Sequence, residues 1–332
     1  MVKHKAKLVI KELLLRTRHY QRRLKRDGFG AVAVLCYHGL RSTNAADDRV
    51  SFSGLHVTER EFESHCRFLK DACHPISLDQ WQASLHGGPP LPARPVLLTF
   101  DDGYRSVLTL AQPILQKYGI PAVVFVCSDP VENQELLWFD AATRSCGEAE
   151  VEALGKLPYA VWQKTCAKLR KVIDSDDPHT PLNVQEIKTL AAMPGIEIGG
   201  HSASHARLAR ASRHEQFGEV LRNRKSLEEW IGREVRAFAY PNGLPEKDYN
   251  GDSISVVKDA GYELAFTTVQ AYAKDVQQLE IPRFLMLAGI STAELGHRLA
   301  YSWPRHESIA ASGLTCPRKT PLVRIWDLAL RR

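Results

Sequence analysis

The sequence predicts an α/β protein in which helices surround a parallel barrel. Seven short apolar runs, rich in β-branched and aromatic residues, alternate with helical patterns along the 332 residues. Such alternation implies a parallel sheet with crossover helices. The length suits one large α/β domain of about 250 residues or two smaller ones. Neither a G-x-G-x-x-G fingerprint nor a P-loop is present, which favours a barrel over a doubly wound nucleotide-binding sheet.

Composition sets the outer limits. With 44% apolar and 25% charged residues the chain can bury a sizeable core. No apolar run approaches the ~20 residues that span a bilayer, which argues against an integral membrane protein. The seven cysteines are scattered without a Cys-x-x-Cys pair, against both a disulfide framework and a zinc ribbon, and a reducing compartment is expected. Residues 1–26 hold ten Lys or Arg against the single acid Glu12. Lys11 and Glu12 break their apolar pieces and no small-residue cleavage site follows, so a signal peptide is not expected. Two readings stand for this basic segment, 1–30: a helix lying on an anionic membrane surface, or a solvated basic helix packed on the domain. Nucleic acid is disfavoured, because no aromatic-basic interleaving accompanies the charge.

The elements follow in order. Ala31 to Tyr37 reads as a strand with His38-Gly39 at its C-terminal end. Thr58 and Glu61 form a capping box, flanked by Val57 and Phe62 as a hydrophobic staple, for a helix reaching about Asp71. A linker at 86–95, with Gly87-Gly88-Pro89-Pro90, precedes the central strand Val96 to Phe100, which stops abruptly at Asp101-Asp102-Gly103. Residues 106–118 read as a helix disturbed by Pro113 and ended by Gly119. Ala122 to Cys127 is the next strand. Residues 128–182 are too long for a simple connection and are read as an insertion with helix around Val151 to Ile173. Within it Trp138-Phe139 fits either a sugar-stacking aromatic or a small local core. Asn183 and Glu186 cap a further helix. Strand-like pieces then recur at Ile196 to Gly199, Val235 to Tyr240, Glu263 to Thr268 and Leu279 to Arg283, separated by helices at 213–231 and 252–260. Residues 291–332, with Trp303, Trp326 and Arg331-Arg332, fit a packed C-terminal helix or a second membrane-facing patch.

Two strand ends carry chemistry. Asp101 and Asp102 bring like charges together, a cost that a bound cation removes. An ordinary Asp-Gly turn is the alternative. His201 and His205, four apart just after a strand, have a spacing by which one segment supplies two metal ligands. Two imidazoles and one carboxylate suit a divalent transition metal with an open position, zinc first among them. The remaining acid can take a proton from water that the metal activates, and a backbone N–H can support the oxyanion. The reaction class is metal-assisted amide or ester hydrolysis.

Thr99-Phe-Asp-Asp-Gly-Tyr104, His201-Ser-x-x-His205 and Phe238-Ala-Tyr-Pro-Asn-Gly243 resemble three motifs of the polysaccharide deacetylases, the NodB-homology or carbohydrate esterase family 4 group. The resemblance covers roughly 31–290 and implies a distorted (β/α)7 barrel. It also implies Asp101 as catalytic base, Asp102, His201 and His205 as metal ligands, and the Tyr240 N–H, before Pro241, at the oxyanion. The family's arginine two residues before this proline is missing, which leaves Arg236 or, preferably, Arg283 to orient Asp101. The late motif that supplies the general acid is missing too, and His297 has no matching context. Tyr37-His38 resembles an element of exopolysaccharide-type members in which this histidine serves as the acid for the leaving amine. The expected function is removal of N-acetyl groups from an amino-sugar glycan or lipid-linked saccharide. A deformylase or O-acetyl esterase would use the same centre, and a glycan-binding module without catalysis is the reading from another class. The basic segment and the lack of an export signal suggest the cytoplasm or the inner face of the membrane.

Overall fold

The computed structural model describes residues 2–302 except 43–51, 53, 170–172, 174–176, 178, 275 and 276. Cys316, Trp303, Trp326, Arg331 and Arg332 lie outside the described residues, as do parts of the 128–182 insertion. Helices α1 (Val2–Arg16) and α2 (His19–Asp27) lead into strand β1 (Ala33–Tyr37). Then come α3 (Glu59–Ala72), α4 (Leu78–Leu85), β2 (Pro95–Phe100), α5 (Gln112–Tyr118) and β3 (Ala122–Val126). Four short helices form the insertion: α6 (Ser128–Asn133), α7 (Trp138–Cys146), α8 (Glu148–Leu154) and α9 (Tyr159–Cys166). The chain continues through α10 (Val184–Ala191), β4 (Ile196–Gly200), α11 (Arg213–Ile231), β5 (Ala237–Ala239), α12 (Gly251–Asp259), β6 (Leu264–Phe266), β7 (Phe284–Leu285) and α13 (Thr292–Tyr301).

These seven strands pair in parallel, in the order β7-β1-β2-β3-β4-β5-β6, and an eighth short strand, His74–Pro75, pairs in parallel with β2 off this path. Residues of β1, β2 and β3 are buried throughout, which explains their unbroken apolar character: both faces of a parallel sheet are covered. The sheet curls until one segment meets both of its edges. Ile281 N–H donates to Ala265 O and Thr267 N–H donates to Ile281 O, each at 2.8 Å, and three residues later β7 pairs with β1. This is the distorted barrel expected from the alternation of elements.

Local signals explain most boundaries. The Thr58 and Asn183 capping boxes form as expected, and Gly232 ends α11 in the left-handed region at φ 69°. Further boxes at Ser77, Ser212 and Asn250 start α4, α11 and α12. The expected strand Leu279 to Arg283 shifts to Phe284–Leu285, because residues 278–281 are drawn to the edge of β6. The helix at 106–118 divides into a π-helical turn, Val107–Ala111, followed by α5. Pro113 has no N–H to give and its ring crowds the carbonyl four residues back, so the turn before it widens. The helix expected from Val151 is interrupted at Gly155 and Pro158, leaving α8 and α9 on either side.

The basic segment rests on the domain by one face. Tyr20 and Leu24 of α2 join the main core, Leu14 and Leu15 of α1 lie against it, and Lys11 pairs with Glu294 of α13. Among the described residues no disulfide occurs; Cys36, Cys66, Cys73, Cys127 and Cys166 are buried as thiols, where each acts as a small hydrophobe. No described helix is long and apolar enough to cross a membrane.

Candidate active site

Register brings the motif residues together. Tyr37 pairs with Phe100, Phe100 with Val124, and Val126 with Gly200, so His38, Asp101-Asp102 and His201 leave β1, β2 and β4 at the same end of the sheet. This is the end where parallel α/β folds gather catalytic groups. The turn out of β2 places Asp102 and Gly103 in the left-handed region, both at φ 73°. Ser202 at 58°, His205 at 59° and Asn242 at 60° share that region. Non-glycine residues held there cost free energy, and such residues cluster at functional sites.

Asp102, His201 and His205 are buried, and one ligand atom from each lies within 4.8 Å of the others. The two Nε2 atoms stand 3.4 and 3.3 Å from Asp102 Oδ1, and that oxygen has no hydrogen-bond partner among the described residues. His201 Nδ1–H donates to Ala239 O at 2.7 Å, which leaves the Nε2 lone pair to face Asp102. A buried carboxylate oxygen without a hydrogen-bond partner, facing the Nε2 atoms of two histidines, is a set of groups that fits a divalent cation.

Asp101 faces a different partner. Arg283, fully buried, donates from Nη1 to Oδ1 at 2.7 Å and from Nη2 to Oδ2 at 2.8 Å. Its Nε donates to Thr267 O and Nη1 also to Thr99 Oγ1. Burial would raise the Asp101 pKa, but Arg283, with His201 adding, more than reverses this and holds it below the ordinary carboxylate value. Cys36 donates its thiol to Asp101 Oδ2 at 3.4 Å. Burial keeps that thiol well above its ordinary pKa, so it is not a nucleophile. Arg236, the other arginine considered, pairs with Asp79 away from the cleft.

A ring nitrogen of His38 lies within 4.8 Å of an Asp101 oxygen, and His38 lines the same cleft, whose volume is about 340 Å³. Its Nδ1 is buried without a hydrogen-bond partner. Tyr240 is placed differently from its expected role: its N–H donates to Phe266 O at 3.0 Å as part of the β5–β6 pairing, and its hydroxyl donates to Leu279 O. A sheet N–H so engaged is not available to an oxyanion. Two residues on, past Pro241, Asn242 does line the cleft, and its buried Nδ2 has no acceptor among the described residues. His297 lies beside Tyr20 and Tyr301, away from the cleft.

The insertion holds one of the site's loops in place. Trp138 Nε1–H donates to His205 O at 3.1 Å and the Phe139 ring lies 4.8 Å from the His205 ring. Both aromatics belong to a local core with Leu154 and Trp162 while also lining the cleft, so the two readings of this pair meet in one place. Asn223 of α11 does comparable work for His201: it accepts from His201 N–H at 3.0 Å and donates to Val126 O at 2.9 Å. A Cβ on Gly200 would stand 2.6 Å from Asn223 Oδ1 and 2.1 Å from the Tyr262 hydroxyl. Gly200→Ala is therefore expected to destabilise the fold by about 1–3 kcal/mol through overpacking, read as a shifted denaturation midpoint; an unshifted midpoint would show that the strand end yields freely.

Some cleft neighbours had no sequence signal. His56 packs edge-on against Tyr104 and His179, and burial, with His179 and His38 adding, pushes its pKa down to about 3. It is therefore neutral at pH 7. Glu148, Val151 and Glu152 of α8 form a wall of the cleft.

A family model described as polysaccharide deacetylase matches residues 88–265, more than half of the chain, spanning Asp101-Asp102 and His201 to His205. The chain belongs to the polysaccharide deacetylase family. It is similar to a poly-beta-1,6-N-acetyl-D-glucosamine N-deacetylase of Escherichia coli, with 27% identity over 276 residues, which cover 82% of this chain and 38% of that protein. The match thus spans well under half of the relative's length. Among solved structures, the Streptococcus pyogenes deacetylase PplD in complex with acetate superposes with a TM-score of 0.61 at 19% identity, covering 83% of this chain and all of that one. IcaB from Ammonifex degensii gives 0.59 at 20% identity, covering 81% and 97%. At these identities the two structures speak for the fold of this family member alone.

Proposed function

We propose that this deacetylase removes N-acetyl groups from an N-acetylglucosamine-containing glycan, with Asp101 as general base and Asp102, His201 and His205 as ligands of a divalent cation, zinc first among the candidates. The observation that carries the reading is the division of labour between adjacent aspartates. One faces two imidazoles and has no donor, while the other is held ionised by the Arg283 fork. When bound, the cation would polarise the acetamide carbonyl and acidify the attacking water. Asp101, below its ordinary pKa, accepts the proton of that water. Asn242 donates to the oxygen that gains charge, in place of Tyr240. His38, across from the base, passes a proton to the departing amine, so that acetate and a free amino sugar are formed. The name of the Escherichia coli relative supports an N-acetylglucosamine polymer as the substrate class. A non-catalytic glycan-binding role has no use for a second, unliganded carboxylate held by a buried arginine.

The test is acetate release by zinc-loaded protein from N-acetylglucosamine oligomers and from a matched O-acetylated sugar, with and without chelator. Release from the N-acetyl substrates alone, stopped by chelation, is the expected result. Preference for the ester would move the assignment to an esterase, and metal-dependent glycan binding with no release would move it to a binding module. His38→Gln is expected to lower turnover by about 10²–10⁴-fold with the zinc stoichiometry unchanged; full activity in that variant would remove His38 from the mechanism.

A further inference from the structure

The face of α1 turned away from the domain is apolar and lies within the most basic part of the chain. Val9, Ile10 and Leu13 are 68%, 56% and 59% exposed. Their spacing, i, i+1 and i+4, puts them on one side of the helix. Lys11, Leu14 and Leu15 point the other way, toward α13 and the core. Leu8, at 47%, adds to the exposed apolar surface. Four exposed large apolar residues within six positions of one helix have no counterpart elsewhere among the described residues, where Leu85, Val161 and Tyr301 are exposed singly. Scattered apolar side chains need no explanation, whereas a cluster marks a contact surface.

Charge identifies what that surface meets. Residues 1–26 carry ten Lys or Arg and one acid, while the other 306 residues carry 34 basic and 37 acidic side chains. The positive excess is therefore confined to α1 and α2. Arg18 and Lys25 are engaged by Asp71, while Lys7 and Arg16, each three residues from a member of the stripe on α1, and Arg22 on α2 are exposed. A second copy of this chain would set like charge against like, and a neutral partner would leave the exposed cations without compensation. Apolar side chains flanked by exposed cations match the boundary between acyl chains and anionic headgroups. From the exposed stripe and its charge we infer that α1 docks the protein on an anionic lipid bilayer. The anchoring of α1 to α13 through Lys11 and Glu294, and of α2 through Tyr20 and Leu24, makes the docking rigid: the folded domain is held at the surface rather than tethered on a loose arm. The inference does not depend on the substrate proposed above.

The experiment is co-sedimentation of the full chain with vesicles of phosphatidylcholine alone and of equal parts phosphatidylcholine and phosphatidylglycerol. The apolar variant is Val9→Glu/Ile10→Glu/Leu13→Glu and the charge variant is Lys7→Gln/Arg16→Gln/Arg22→Gln. All six positions are exposed, and unchanged circular-dichroism melting serves as the control for folding. Wild type is expected to bind the anionic vesicles at least about tenfold more tightly than the neutral ones and to weaken as salt rises. Each variant should lose most of that binding. Equal binding to both vesicle types, no binding, or undiminished binding in the apolar variant would overturn the inference. So would self-association of the wild type, without vesicle binding, that the apolar variant abolishes, since the stripe would then be a contact between copies.

Discussion

Arg283→Met is expected to destabilise the protein by about 3–5 kcal/mol, the usual cost of leaving one partner of a buried ion pair without its counter-charge. Arg283 is fully buried and its Nη1 and Nη2 atoms contact both Asp101 oxygens, so methionine fills the volume and leaves the carboxylate with burial alone. The pKa then moves in a known direction. In the native protein burial, the largest single influence, raises the Asp101 pKa, but Arg283 and His201 together outweigh it; without Arg283 the pKa rises. A general base with a raised pKa loses activity at higher pH on the acid side, so the acid limb of the pH–rate profile should move upward in the variant. The same shift sets the pH dependence of stability. Because folding lowers the Asp101 pKa, the pair's contribution is complete above the ordinary carboxylate range and is lost as pH falls through the lowered native value. Urea denaturation of wild type and Arg283→Met across acidic pH should show their difference in stability shrinking toward low pH. A constant difference would mean that the ion pair is not its origin. Arg283→Lys, which keeps the charge and loses the two-pronged geometry, should fall between the two.

Asp101→Asn is expected to reduce acetate release by about 10²–10⁴-fold, since a neutral amide cannot accept the proton. It is not structurally silent, because it leaves the Arg283 charge buried without its counter-ion. A lowered melting temperature is therefore part of the prediction. The informative combination is turnover lost with zinc stoichiometry retained, because the proposed metal set Asp102, His201 and His205 does not include this residue. Zinc lost along with activity would place Asp101 among the ligands and require a different base. Activity retained would remove the division between the two aspartates altogether.

The strands, several helix starts and the two motifs at the strand ends were legible because their causes are local. A buried parallel strand has to be apolar along its length, as Val96–Phe100 and Ala122–Val126 are, and a capping box such as Thr58 with Glu61 satisfies donors three residues away. The same holds for the pairing of Asp101-Asp102 with His201 and His205, where residue type and spacing already describe a cation's preferences. Other features depend on groups distant in sequence. Leu279 to Arg283 reads as one more strand, but competition for hydrogen bonds at the curled sheet's edge draws residues 278–281 toward β6 and moves the strand to Phe284–Leu285.

Assignments within the cleft show the same limit. Nothing in the local sequence says that the Tyr240 N–H is taken by Phe266 O, 26 residues later, or that Asn242 turns into the cleft instead. Two arginines could have reached Asp101, and only the packing of distant segments put Arg283 there and Arg236 against Asp79. The basic segment divides in the same way. Its charge is a property of composition, whereas which side of α1 is covered by α13 and which is left to Val9, Ile10 and Leu13 is decided by tertiary packing. By itself the sequence determined the class of fold, the strand ends that carry the candidate chemistry and the Asp-His-His cluster proposed to hold a metal, because side-chain chemistry and short-range hydrogen bonding are written along the chain. The tertiary structure alone decided which arginine holds the base, which amide is left to donate and which helix face stays bare. Each of these depends on which distant group reaches a given hydrogen-bond partner or apolar surface first, and that competition is settled only when the whole chain is folded.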